Sequence, residues 1–368
     1  MFSKIFNQQE TKDLLSISPA KTVEEILKQS NFSLADAAVL IKVAKNNWPL
    51  IIREAENRRQ KQWAGKLFLV PPLYVTNFCA DDCIYCGYRR SNRLQRQRLD
   101  QEDLLANVQF LISQGYRVIE LVGATDRFYN PERTAEIIQL TKNELNKISG
   151  GWVGLNFFPF AKVADYKILV QAGLDFIICW QETYDPQTYK QIHPKGPKTD
   201  MNFRLNVFDR AIQGGVKNCC LAFLGGLYDW RYEVLSVITH GQYLEKIYGI
   251  PPFILGMPRY KGTGGDLLNG VQLSPYSNDD YLFVAAIYKL IFPNSLPWFS
   301  TREPFEFSAK AAKGGGALFT LDCSTSVGGY IQNGTPQFPV YSKSATQGIG
   351  WLKKQGFKPL HELPTKRR

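Results

Sequence analysis

Thr76-Asn77-Phe78-Cys79-Ala80-Asp81-Asp82-Cys83-Ile84-Tyr85-Cys86-Gly87-Tyr88 follows directly on the strand-like run Pro72-Leu73-Tyr74-Val75-Thr76. It holds three of the chain's seven cysteines, at the spacing C-x3-C-x2-C. Thiolates are soft ligands that select iron–sulfur clusters or zinc. A cubane cluster usually takes four cysteines. No fourth lies nearby, so a three-thiolate site leaves one iron with an open position. Structural zinc wants four closed ligands, commonly in paired sets, and no second pair follows. A disulfide needs an oxidising compartment, and no signal peptide precedes the loop. The stretch is read as a cluster loop delivered by the C-terminal end of a strand.

Outward from that loop, strands and helices alternate from residue 67, the pattern of parallel βα units. Further strands are expected at Val118–Val122, Trp152–Phe157, Phe176–Trp180, Lys217–Phe223 and Phe253–Met257. Trp298–Ser300 and Ala317–Thr320 bring the count to eight. Asp100 caps a helix through Leu104, Val108 and Leu111 that Gly115 ends, and another helix runs from Pro131 to about Ile148. The expected fold is α/β, a (βα)8 TIM-type barrel or a partial βα barrel. Its chemistry belongs on the loops leaving the C-terminal strand ends.

Residues 1–66 read as a helical extension packed across a barrel end. Thr22 with Glu25 forms a capping box, Ser33 opens a second helix, and Trp48–Trp63 a third. Residues 67–360 form the barrel and 361–368 a basic tail. Apolar content of 44% and charged content of 21% are those of a globular chain, and no apolar run is long enough to span a bilayer. The expected location is cytoplasmic. The formal charge of +11 comes from scattered Lys and Arg, read as a solvated surface rather than a nucleic-acid footprint. A basic rim near the loop suits an anionic substrate or an acidic electron donor.

Arg302 follows the seventh strand, where its planar fork of donors fits a carboxylate. The alternative is a surface pair with Glu303 or Glu306. Glu182, after strand four, and Arg204, in the helix beyond, could hold the two ends of a zwitterion or simply bridge each other. Gly123-Ala124-Thr125-Asp126 is a small-residue turn that a ligand can approach. Gly262-Thr263-Gly264-Gly265 and Gly314-Gly315-Gly316 read as flexible turns, and His193 and His240 as packing residues. Cys179, Cys219, Cys220 and Cys323 read as buried thiols. The hydroxyl of Tyr74 faces either the barrel core or the site.

Several of these stretches together resemble a known family. The cysteine loop with Tyr85 before Cys86 and Gly87 after it is similar to that of the radical S-adenosylmethionine (SAM) superfamily. Gln181-Glu182-Thr183-Tyr184-Asp185, His193-Pro194-Lys195-Gly196-Pro197-Lys198, Met257-Pro258-Arg259, Ser300-Thr301-Arg302-Glu303 and Gly328-Gly329-Tyr330 resemble its aromatic amino-acid lyases. These include 2-iminoacetate synthase (tyrosine lyase) of thiamine biosynthesis, a hydrogenase-maturation relative and tryptophan lyase. The resemblance implies that Cys79, Cys83 and Cys86 bind a [4Fe-4S] cluster whose fourth iron is chelated by SAM. It implies that Tyr85, Glu182 and Arg204 contact SAM, and that Tyr74, Arg302 and Thr320 face the substrate. The implied reaction takes a hydrogen atom from the amino group of tyrosine, with Cα–Cβ scission to p-cresol and dehydroglycine. The implied partners are flavodoxin or ferredoxin as electron donor and a thiazole synthase subunit. The family's Gly-Glu after strand two is replaced here, leaving Thr125 or Asp126 for its role. Thr320-Leu321-Asp322-Cys323-Ser324 replaces a small-residue stretch near Arg302, which opens the substrate to tryptophan or another amino acid. No cysteine follows Cys323, so the hydrogenase relative's carbon monoxide and cyanide chemistry is not expected. A catalytically silent thiazole-synthase partner and an RNA-modifying enzyme are the readings from other classes.

Overall fold

The computed structural model describes all residues except 264, 266, 269–272, 342 and 365–368. The turn at Gly264 and the end of the basic tail therefore lie outside the described residues. The chain folds around one curled sheet in which every paired neighbour runs parallel. Its described strands are β1 (Lys66–Leu69), β2 (Pro72–Thr76), β3 (Val118–Gly123), β4 (Trp152–Asn156) and β5 (Phe176–Glu182). They continue with β6 (Cys219–Phe223), β7 (Ile254–Gly256), β8 (Leu296–Phe299), β9 (Leu318–Phe319) and β10 (Lys358–Leu360). The order across the sheet is β10-β1-β9-β8-β7-β6-β5-β4-β3-β2. Only Val70 and Pro71 separate β1 from β2, so one continuous stretch serves both sides of the ring. Pro71 and Pro72 lack amide hydrogens and cannot continue a ladder. Beyond them a lone bridge from Tyr74 to Val327 spans the gap. The result is a partial TIM-type barrel with helices outside.

Four helices precede the barrel: α1 (Gln8–Ser16), α2 (Val23–Leu27), α3 (Leu34–Lys42) and α4 (Trp48–Trp63). Both the Thr22–Glu25 and Ser33–Asp36 capping boxes form. The barrel helices are α5 (Gln101–Ser113), α6 (Pro131–Asn146), α7 (Val163–Gln171), α8 (Pro186–Ile192), α9 (Met201–Leu205), α10 (Val207–Gln213) and α11 (Trp230–Tyr248). They end with α12 (Asn278–Ile291), α13 (Phe305–Gly314) and α14 (Ala345–Lys354). Helices α1 and α3 lie on α11, and α4 lies on α12 and α13. The extension thus lines the barrel's flank instead of crossing an end. Trp48 stacks on Phe283 at 4.2 Å, and one apolar cluster runs from Phe2 through α11 and α12.

Strand residues alternate between two cores, as the period of two requires. Leu73, Val75, Ile119, Leu121, Val153 and Leu155 face the helices. Phe68, Val118, Trp152, Phe176, Phe253 and Leu296 fill the barrel's interior at its N-terminal end, where Trp152 stacks on Phe253 at 5.4 Å. This plug closes one end and leaves a cavity at the other.

All eight expected strands are present, with ends shifted by a residue or two. Strands β1 and β10 and helix α1 were not anticipated. Gly314-Gly315-Gly316 is not a flexible turn. A Cβ on Gly315 would sit 2.5 Å from the Ala285 carbonyl oxygen, and one on Gly316 would overlap the Phe299 ring. Close approach of α13 to α12 and β8 is what these glycines permit.

Candidate active site

The cysteine loop lacks regular structure and is pinned by backbone hydrogen bonds from different elements. Ala80 N–H donates to Thr125 O (2.8 Å), Asp82 N–H to Lys195 O (2.9 Å) and Ile84 N–H to Ile192 O (3.0 Å). The buried Asp81 carboxylate accepts from Lys198 N–H at 2.7 Å and from the Thr125 hydroxyl. Gly196 lies against it at φ +102°, where a Cβ would fall 2.4 Å from Asp81 Oδ1. At Gly87 a Cβ would come within 2.3 Å of Gln337 O, so the glycine after Cys86 lets a distant segment close over the loop.

Cys79, Cys83 and Cys86 are free thiols lining one cavity at the C-terminal mouth of the barrel. Burial pushes Cys79 up to about 11 and Cys83 further. Gln337 Nε2 lies 3.5 Å from Cys86 Sγ, and Asp81 N–H points at Cys79 Sγ from 3.4 Å.

Across the cavity stands Glu182, at a register shift near the end of β5. Its φ is +71°, a left-handed conformation that costs a non-glycine residue about 1 kcal/mol or more. The carboxylate accepts from Lys198 Nζ at 2.8 Å, and that ammonium also donates to Tyr85 Oη at 2.7 Å. Tyr85 Oη in turn bonds His193 Nε2 at 3.1 Å. Burial pulls the Lys198 ammonium down, but the Glu182 carboxylate outweighs it and holds it protonated. Arg204 donates to Trp180 O at 2.5 Å and leaves its Nε buried without a partner. Glu182 and Arg204 therefore share the cavity without bridging each other. The bridge runs to Lys198, which the sequence did not single out.

At the rim beyond β8, Arg302 is half-buried with its guanidinium 3.5 Å from the Phe338 ring centroid. Its Nε has no partner. Neither acidic neighbour is available. Glu303 binds Arg259 and Lys261, and Glu306 binds Lys343. Burial lowers the affinity of Arg302 for its proton, and Tyr74 and Glu182 partly oppose this. The group stays charged. Tyr74 does face the cavity, and its hydroxyl donates to Gln337 Oε1 at 2.9 Å. Thr320 lines the same wall and accepts from Trp298 Nε1 at 2.8 Å. Of the two replacements for the family's glutamate, Thr125 reaches the cavity. The Asp126 carboxylate is held by Thr76 (2.7 Å) and Arg98 (2.8 Å) and does not line it.

With this geometry, residues 73–235 match the family profile of the Radical SAM superfamily. The chain carries a radical SAM domain. It is 26% identical over 348 residues to 2-iminoacetate synthase of Escherichia coli (strain K12), covering 93% of this chain and 90% of that protein. To 2-iminoacetate synthase of Salmonella typhimurium it is 28% identical over 290 residues, 77% of this chain and 74% of that protein. The crystal structure of HydG, a maturase of the [FeFe]-hydrogenase, superposes with a TM-score of 0.90 at 27% identity, covering 96% of this chain and 80% of that one. This is a radical SAM enzyme related to both.

The family implies an iron–sulfur cluster and SAM, and the donor set of this radical SAM site fits them. Three free thiols, one buried and two half-buried, with N–H donors aimed at two of the sulfurs suit a cluster, whose potential such bonds tune. Among the described residues no three His, Cys, Asp or Glu converge on one metal-ion position. A cubane takes each thiolate on a different iron and needs no such convergence. The opposed charges of Glu182 and Arg204, the latter with an orphaned Nε, suit the zwitterionic end of SAM.

Sequence reasoning missed the cavity or network roles of six residues besides Lys198. Gln337 bridges Tyr74 and Cys86, and His193 supports Tyr85. Glu120 and Asn156 line the cavity's deep end, and Cys179 and Cys323 line its wall instead of only packing. Among the described residues no helix is long and apolar enough to cross a membrane.

Proposed function

We propose that this protein is a radical SAM lyase that cleaves the Cα–Cβ bond of a free aromatic amino acid, tyrosine first, to p-cresol and dehydroglycine. The observation that carries this is Arg302. It is a half-buried guanidinium whose Nε is fully buried, with no described carboxylate partner, facing the cavity that the three thiols line. A buried cation without a counter-ion is costly unless a ligand supplies the charge. The α-carboxylate of an amino acid matches its fork bidentately.

Bound here, a [4Fe-4S] cluster and SAM would supply the radical chemistry that removes a hydrogen atom from the substrate amine. Cys79, Cys83 and Cys86 hold the cluster. Glu182, Lys198 and Arg204 orient the SAM zwitterion, with Thr125 and Tyr85 beside it. Arg302 fixes the substrate carboxylate, Tyr74 and Thr320 bound the substrate space, and the aromatic walls exclude water. Residues 67–360 are then the catalytic unit, 1–66 a helical support and 361–368 a tail. A cytoplasmic flavodoxin or ferredoxin supplies the electron, and a thiazole synthase subunit consumes the unstable fragment.

The test is anaerobic incubation with SAM, a chemical reductant and tyrosine or tryptophan. Tyrosine should yield p-cresol and raise 5′-deoxyadenosine above background. If neither amino acid does, the aromatic-lyase reading fails. The tryptophan reading is favoured by the changed wall from Thr320 to Ser324, and tryptophan cleavage alone would establish it.

A further inference from the structure

Glu120 has no place in the mechanism above, yet it is an unusual group in the barrel. It lies mid-strand in β3 and points inward between Val118, part of the apolar plug, and Val122. Its register partners are Pro72 on β2 and Gly154 on β4. The layer above, toward the mouth, holds Tyr74, Val122 and Asn156. Glu120 is therefore one inward step, about 7 Å, below the Tyr74 layer. Arg302 sits at the opposite, rim end of the same cavity, beyond the end of β8.

The residue is 1% exposed. One carboxyl oxygen accepts from Asn156 Nδ2 at 2.9 Å, and the other, Oε2, is buried with no partner. Among the described residues no cation pairs with it. Burial raises its pKa to about 7. An unpaired carboxyl oxygen against an apolar plug is destabilising by an amount that packing does not return. Such a group belongs to a site whose ligand completes it. The ligand must bring a donor to the deep end while passing between aromatic walls, among them Phe157, Trp180 and Trp298. An amino acid clamped at Arg302 by its carboxylate points its side chain the required way.

Resting on the lyase reading, we infer that Glu120, oriented by Asn156, accepts a hydrogen bond from a donor borne on the substrate's aromatic ring and so sets specificity. Tyrosine, with its hydroxyl at the far end of the ring, satisfies Oε2. Phenylalanine, identical otherwise, leaves it orphaned. A site built to bond a hydroxyl rejects the analogue lacking it far more strongly than an apolar pocket rejects a size change.

Binding of tyrosine and phenylalanine to the cluster-loaded enzyme with SAM, measured by equilibrium dialysis without reductant, tests this. The unmutated protein should prefer tyrosine by roughly a hundredfold. Glu120→Leu, which replaces a costly buried carboxyl with an apolar side chain, should bring the two affinities within about threefold, chiefly by losing tyrosine. Glu120→Gln keeps an acceptor oxygen and should retain most of the preference. SAM affinity should not change in either variant. An unaltered tyrosine-to-phenylalanine ratio in Glu120→Leu overturns the inference. If that variant does not fold, equal affinities in the unmutated protein overturn it as well. Failure of every aromatic amino acid to bind the unmutated protein would instead overturn the lyase reading.

Discussion

Around the cysteine loop the carboxylates Asp81 and Glu182 are both engaged, whereas on the substrate wall Glu120 leaves one oxygen without a partner. Asp81 is bonded by Lys198 N–H and Thr125, and Lys198 joins Glu182 to Tyr85, which His193 supports. Two arginines there keep buried nitrogens without partners, Arg204 at Nε and Arg89 at Nε and one Nη, while the carboxylates of Asp81 and Glu182 are both bonded. At the other end, Arg302 Nε and Glu120 Oε2 both lack partners in buried surroundings. The first region's carboxylates are held in place before any cofactor arrives, and the second is complete only with a ligand in place. This division is what a radical reaction needs. The reactive partner must be held rigidly, while substrate affinity comes from groups that gain on binding.

The largest effect should come from removing the loop's own ligands. Cys83→Ala should abolish iron incorporation under anaerobic reconstitution and with it 5′-deoxyadenosine formation. Full iron content in that variant would mean that the cluster does not sit on this loop.

Next is the preorganised network itself. Lys198→Met leaves Glu182 buried without its cation, which typically costs 3–5 kcal/mol. Thermal unfolding of the apoprotein should show a fall in Tm of several degrees. The double variant Lys198→Met/Glu182→Gln should recover at least half of it. An equal fall in both variants would mean that the Lys198 stem, not the ion pair, stabilises this end.

On the substrate wall, Arg302→Lys keeps a charge but loses the planar fork. A shift of about 1 Å in the amine can cost a hundredfold in rate. Amino-acid cleavage should therefore fall on the order of a hundredfold, while substrate-independent SAM cleavage and iron content persist. Loss of SAM cleavage as well would place Arg302 in the cofactor region and erase the division.

What the sequence disclosed follows the same line. The eight barrel strands were readable because parallel strands buried on both faces become continuous apolar runs. Strand β10, Lys358-Pro359-Leu360, is not fully buried and carries a proline, and β1 runs into β2 with only Val70 and Pro71 between them, so neither stood out as a separate apolar run. The thiols were readable because their spacing is local. The Lys198–Glu182 pair was not, because no periodic pattern links a loop lysine to a carboxylate 16 positions back. Gln337 lies 251 residues from Cys86 in coil, and only the fold brings them together. Glu120 did leave a signal. A carboxylate within a fully buried run is rare, and Val118-Ile119-Glu120-Leu121-Val122 shows it in plain view.

Gln337 gives the smallest and most discriminating test, because it touches both regions. Its amide oxygen accepts from Tyr74 Oη at 2.9 Å, and its amide nitrogen lies 3.5 Å from Cys86 Sγ. Gln337→Leu is close in shape and removes both interactions. Each is worth about 1 kcal/mol net. A donor to a cluster thiolate favours the reduced, more negative state, so its loss should lower the cluster's midpoint potential. About 1 kcal/mol corresponds to roughly 40 mV for one electron. The long N···S distance makes the shift no larger than that. Freed of its acceptor, Tyr74 should loosen at the substrate wall, and tyrosine affinity should fall by about fivefold. Both shifts together, with iron content and SAM binding intact, mean that Gln337 couples the two regions. A changed potential with unchanged tyrosine affinity would confine Gln337 to the cofactor side and leave the substrate wall independent of it.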